Sequence, residues 1–102
     1  MQPKNLKAFE RRAIIASALA HPLRLQMLDW LYRRGSTCVC ELVEACACSQ
    51  PIASKHLLIL KNAGLVEVRK DGLKAFYSLK TPCIMTFFEC ADRAFENHKK
   101  SL

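Results

Sequence analysis

No apolar run in this sequence approaches the ~18 residues that a membrane-spanning helix needs. The opening residues, Met-Gln-Pro-Lys-Asn-Leu-Lys, lack the apolar stretch of a secretory leader. A cytoplasmic setting with no membrane partner is the expectation. Glycine is scarce, three in 102 residues, and none belongs to a phosphate-cradling loop. There is no carboxylate pair with a pocket to serve and no Cys-x-x-Cys, so the chain does not read as an enzyme or a zinc ribbon. Acidic residues are few, nine against sixteen Lys and Arg, which leaves a net charge of +7 and a pI near 9.3. Such a balance favours an acidic partner such as nucleic acid or an anionic surface.

A chain of 102 residues supports one core, so residues 1–102 read as a single domain. The charge is uneven. Residues 1–34 carry net +5, residues 35–48 net −2 and residues 49–80 net +4, while residues 81–102 balance. Six cysteines are present. In a reducing compartment, clustered thiols point to metal binding or redox sensing rather than to a disulfide framework.

Taken in order, residues 4–20 read as a helix, with Leu6, Phe9, Ala13 and Ala16 as its apolar stripe. Lys4, Lys7, Arg11 and Arg12 decorate the rest. His21-Pro22 breaks it, because the residue before proline avoids the helical region. A second helix, 22–34, turns Leu25, Leu28, Leu31 and Tyr32 inward and ends at Gly35. A short third helix spans about 38–46, with Ala47-Cys48 as a tight turn. A fourth follows from Ser49 to Leu65: Ser49 or Gln50 caps it, Pro51 suits its first turn, and Gly64 lets the chain leave. Its apolar face is read as Ile52, His56, Ile59, Leu60 and Ala63, with His56 as a packing residue. Gln50, Ser54 and Lys55 lie opposite, able to read base edges or phosphates. Short helix, turn, polar-fronted helix is a helix-turn-helix arrangement.

The period then shifts toward 2. Residues 65–70 and 73–79 read as strands joined by Asp71-Gly72. Arg69, Lys70 and Lys74 cluster at the tip, within reach of a phosphate backbone. A last helix, about 82–97, carries Ile84, Phe87, Phe88, Ala91 and Phe95. So small a core cannot hide both terminal stripes, which predicts a homodimer packed through the first and last helices. The fold class is α+β, mostly α, in the order ααααββα.

Five segments together resemble one family. They are Leu19-Ala-His-Pro-Leu-Arg-Leu25, Cys38-Val-Cys-Glu-Leu42, Ser49-Gln-Pro-Ile-Ala-Ser-Lys-His-Leu57, Ala63-Gly-Leu-Val66 and Asp71-Gly-Leu-Lys-Ala-Phe-Tyr-Ser-Leu79. They are similar to the ArsR/SmtB family of metal-sensing transcriptional repressors, over about residues 8–80. The resemblance implies a winged helix-turn-helix homodimer that binds operator DNA and releases it when an inducer binds. It assigns DNA contact to Gln50, Ser54 and Lys55 on the recognition helix and to Arg69, Lys70 and Lys74 on the wing. It also likens Cys38-Val39-Cys40 to the metal box of the arsenite- and cadmium-responsive members.

The chain departs from each known box. Val43 stands where the arsenite box has a third cysteine, no cysteine precedes Cys38, and Asp92, Glu96 and His98 lack the spacing of the zinc and nickel site on the last helix. As(III) and Sb(III), the first candidates for inducer, bind three thiolates. Cys38 and Cys40 are two, Cys48 is taken as the third, and Cys46, Cys83 and Cys90 stay open. Along an ideal helix, Cys46 lies roughly 12 Å from Cys38. Residues i and i+2 of a helix point about 200° apart, so Cys38 and Cys40 share an ion only if the helix start is distorted. A Cd/Pb sensor and a redox or persulfide sensor remain alternatives within the family. A structural zinc or protein-interaction module is the alternative of another class, and it leaves the polar helix start and basic hairpin unexplained.

Overall fold

The computed structural model describes residues 5–101; Lys4 of the expected first helix lies outside them. The elements run α1 (Leu6–Leu19), α2 (Pro22–Arg34), β1 (Thr37–Cys38), α3 (Val39–Ala45), α4 (Gln50–Asn62), β2 (Val66–Asp71) and β3 (Lys74–Leu79), then a 3₁₀ turn (Pro82–Met85) and α5 (Thr86–Ser101). The ααααββα order holds, with one added strand. A two-residue strand has no periodicity to announce it. It forms because Gly35, at φ 77°, swings the chain out of α2. Thr37 and Cys38 then meet the free edge of β3. The sheet has the order β1-β3-β2, all antiparallel, with Cys38 opposite Phe76 and Phe76 opposite Arg69.

The core gathers Leu19 of α1, Met27, Leu28 and Leu31 of α2, Leu42 of α3, Leu57 and Leu60 of α4, and Leu65 and Val66 entering β2. Each fully buried leucine contributes about 1.5–3 kcal/mol. Tyr32, expected inside, is 58% exposed, because the buried face of α2 runs Met27, Leu28, Leu31. In α4 the buried face is Ala53, His56, Leu57 and Leu60. It is rotated from the expected stripe, and Ile52 stays exposed at its rim. The hairpin forms, but its turn is Gly72-Leu73 rather than Asp71-Gly72: Asp71 ends β2 opposite Lys74, and Gly72 takes φ 63°.

The terminal helices keep several large apolar side chains open in the single protomer. Phe9 and Ile14 of α1 are exposed, as are Phe87 and Phe95 of α5, and α5 buries none of its described residues. Among the described residues, no helix is long and apolar enough to cross a membrane.

Candidate functional site

Two groups of side chains merit attention: the polar front of α4 with the hairpin beside it, and the thiols around α3.

The α4 helix is fixed at both ends. Ser49 caps it, its Oγ accepting from the Ile52 N–H at 3.4 Å. At the other end Gly64 takes φ 81°. The Leu65 N–H then reaches the Leu60 carbonyl at 3.0 Å, and the Gly64 N–H reaches that of Lys61 at 2.9 Å. This is a Schellman closure. Gln50, Ser54 and Lys55 are exposed, as are Arg69, Lys70 and Lys74 of the hairpin. The Arg69 guanidinium lies 5.3 Å from the Phe76 ring centroid, in cation–π range.

His56 is buried, as expected of a packing residue, but it is also hydrogen-bonded. Arg24 Nη1 donates to its Nδ1 at 2.8 Å, while Arg24 Nε donates to the Ala18 carbonyl at 2.7 Å and Nη2 to that of Ser17 at 3.3 Å. A guanidinium only donates, so His56 Nδ1 is the acceptor and the proton of the neutral ring is on Nε2. The His21 ring lies 4.4 Å away, centroid to centroid. Burial lowers the His56 pKa, and the positive neighbours His21, Arg24 and Lys55 push the same way. One arginine thus ties the end of α1 to the middle of α4. Sequence reading missed this clasp: Arg24 resembles any surface cation until the fold turns it inward.

The structure brings Cys38 and Cys40 together, with Sγ atoms 2.7 Å apart. The expected helix distortion is not needed. Cys38 is not in α3 but in β1, at the N-cap, with extended φ −66° and ψ 145°, so its sulfur escapes helical geometry and converges on that of Cys40. Cys38 is buried and Cys40 exposed. The Cys40 thiol donating to Cys38 lowers the Cys38 pKa, helped by the field of the backbone N–H groups opening α3 and by Lys74, against a smaller opposing effect of burial. The same bond raises the pKa of Cys40.

The remaining thiols stand apart. Among the described residues, no three His, Cys, Asp or Glu side chains are placed to hold one metal ion, so Cys48 does not join the pair in this conformation. Cys46 is buried, its pKa raised by burial and then by Cys48. Between them Ala47 adopts φ 51°, and the Cys48 N–H bonds the Val43 carbonyl at 3.1 Å, a second Schellman closure with alanine where glycine is usual. Cys83 belongs to the 3₁₀ turn and Cys90 to α5, so the two do not share one regular helix. Both are exposed.

Residues 21–68 match the bacterial regulatory protein, arsR family. An uncharacterised HTH-type transcriptional regulator of Methanocaldococcus jannaschii is 42% identical over 72 residues, covering 71% of this chain and 81% of that protein. An arsenical resistance operon repressor of Staphylococcus xylosus is 38% identical, covering 71% and 68%. Other relatives, of which the chain spans 51–55%, are named for arsenic, mercury and cadmium resistance. A homodimeric winged helix-turn-helix DNA-binding domain from Mycobacterium bovis superposes with a TM-score of 0.81 at 26% identity, covering 100% of this chain and 94% of that one.

Proposed function

The chain belongs to the arsR family, whose members are DNA-binding transcriptional regulators, and from that premise we propose that it represses transcription as a cytoplasmic homodimer and leaves its operator when a thiophilic inducer binds. Residues 1–102 act as one DNA-binding domain. Gln50, Ser54 and Lys55 meet the major groove, where a Gln amide pairs bidentately with adenine. Arg69, Lys70 and Lys74 neutralise phosphates, so affinity falls steeply with salt. The homodimer is supported by the open apolar side chains of α1 and α5 and by the homodimeric relative. It places two recognition helices on a pseudo-palindromic operator.

The inducer is As(III) or Sb(III). The single observation carrying this reading is the Cys38–Cys40 pair, 2.7 Å apart and electrostatically poised to ionise at Cys38. Soft thiolates select soft ions. The pair fits such an ion as two donors, and Cys48 supplies the third once the segment after α3 rearranges. Having two thiols in contact without a third also favours a second reading, a redox or persulfide sensor in which the Cys38 thiolate reacts and Cys40 resolves.

The test is release from an in-vitro-selected operator duplex, with arsenite, antimonite, Cd(II), Pb(II) and a polysulfide each added to wild type, Cys38→Ser, Cys40→Ser and Cys48→Ser. Arsenite release lost in all three variants is expected. Release by arsenite from both Cys38→Ser and Cys40→Ser overturns the site. Release by polysulfide alone selects the second reading.

A further inference from the structure

The hairpin carries more than its own cations. In an antiparallel sheet, residues directly opposite one another share a face. Cys38 on β1 stands opposite Phe76 on β3, and Phe76 stands opposite Arg69 on β2. The three form one row across the whole sheet, from a thiol at one edge to a wing cation at the other. Tyr77, the next residue along β3, packs on the core. Side chains alternate along a strand, so the Cys38–Phe76–Arg69 row lies on the opposite face, away from the helices. Arg69 closes the row by stacking on Phe76. Lys74, two residues along β3 on that same face, sits near enough for its charge to act on both thiols. Cys38 is also the residue from which α3 starts. A displacement of Cys38 therefore acts on a backbone segment that is hydrogen-bonded into the wing.

We propose that chemistry at Cys38 and Cys40 reaches the operator through the wing: displacement of Cys38 travels along the cross-strand row to Phe76 and Arg69 and draws Lys74 off the DNA backbone. This rests on the reading of that pair as the inducer site, and it specifies how the site regulates. The competing route runs from α3 directly to α4, which it packs against.

Phe76→Leu separates the two routes. It keeps a β-compatible apolar side chain on the outer face, leaves the α3–α4 contact alone, and removes the ring that links Cys38 to Arg69. Operator affinity is read by fluorescence anisotropy with and without arsenite. Arsenite uptake is read separately by thiolate-to-arsenic absorbance in the near ultraviolet. Phe76→Leu is expected to take up arsenite as wild type does and to bind the operator within about threefold of it. Its arsenite-induced loss of affinity is expected to shrink about tenfold from the wild-type factor, within the range that allosteric couplings span.

Wild-type uptake with an undiminished arsenite effect in Phe76→Leu overturns the wing route and leaves the inducer site standing. Wild-type protein that takes up arsenite yet holds its operator overturns the functional reading and the wing route together. Should Phe76→Leu fail to fold, Arg69→Gln at the exposed end of the row carries the same test. Its operator affinity is lower from the outset, and its further loss with arsenite is expected to fall well short of the wild-type factor. A full wild-type factor there again refutes the route.

Discussion

Replacing Arg24 by methionine tests whether the clasp on the recognition helix is structural in the way its geometry indicates. Methionine keeps most of the apolar stem and so most of the packing. What disappears is three hydrogen bonds, to Ala18, His56 and Ser17, at 2.7, 2.8 and 3.3 Å. Hydrogen bonds involving a charged group contribute about 1.5–3 kcal/mol each, the two short ones most, and a half-buried arginine keeps water as a competitor, so the net cost is about 2–3 kcal/mol. At about 4–8 °C per kcal/mol for a domain of this size, the melting temperature falls by roughly 10–20 °C. Measurement at one fixed protein concentration holds the mass-action contribution of dimer dissociation constant. A double-mutant cycle with His56→Leu isolates the Arg24–His56 term, expected at about 1–2 kcal/mol.

The same pair makes stability depend on pH. The folded-state pKa of His56 lies below its ordinary 6.5, so the folded protein binds fewer protons there than the unfolded chain. The stabilisation is complete above 6.5 and is lost as pH falls through the folded value, where the imidazolium can no longer accept from Arg24. In Arg24→Met that slope flattens only slightly, because burial, the largest cause of the shift, remains. A melting temperature lowered by less than about 3 °C refutes the clasp.

Further outcomes follow from individual positions. Ala47→Gly removes the cost of a left-handed alanine and raises stability by about 0.5–1 kcal/mol in urea unfolding, because glycine takes that conformation freely. Leu57→Ala, at a fully buried α4 position, costs about 2–5 kcal/mol and weakens operator binding beyond what any lost DNA contact explains. Lys70→Gln lowers operator affinity equally for all sequences and reduces the slope of log K against log salt by about 1, whereas Gln50→Ala relaxes discrimination at one base pair by about 1–3 kcal/mol with the slope intact.

Elements whose signal is local were readable in advance. The cap at Ser49, the exit at Gly64, the break at His21-Pro22 and the Asp71-Gly72 hairpin each depend on residues within a few positions of one another. The first three appear where the pattern placed them, and the hairpin turns one residue later, at Gly72-Leu73. What sequence reading missed is set by distant partners. Strand β1 exists only because β3 offers it an edge, and Arg24 points inward only because α1 ends where it does. The buried face of the recognition helix is rotated slightly from the one its spacing suggests. Ile52 and Ala53 are adjacent, and the small side chain, not the bulky one, fits against the neighbouring helices.

The unforeseen strand changes the chemistry most. Had Cys38 been helical, its sulfur would have pointed about 200° from that of Cys40, and ligation would have had to unwind a turn. At a strand-to-helix boundary the two sulfurs converge with no such cost. The helix that follows has seven residues, too few to hold itself together in water, and it stays in place through the packing of Leu42, Val39 and Val43, with Cys46 at its end. A reactive pair at the start of a helix with so little stability of its own needs little free energy to shift it. The strand pairing of Cys38 with β3 then carries the change toward the wing, as the proposed route requires.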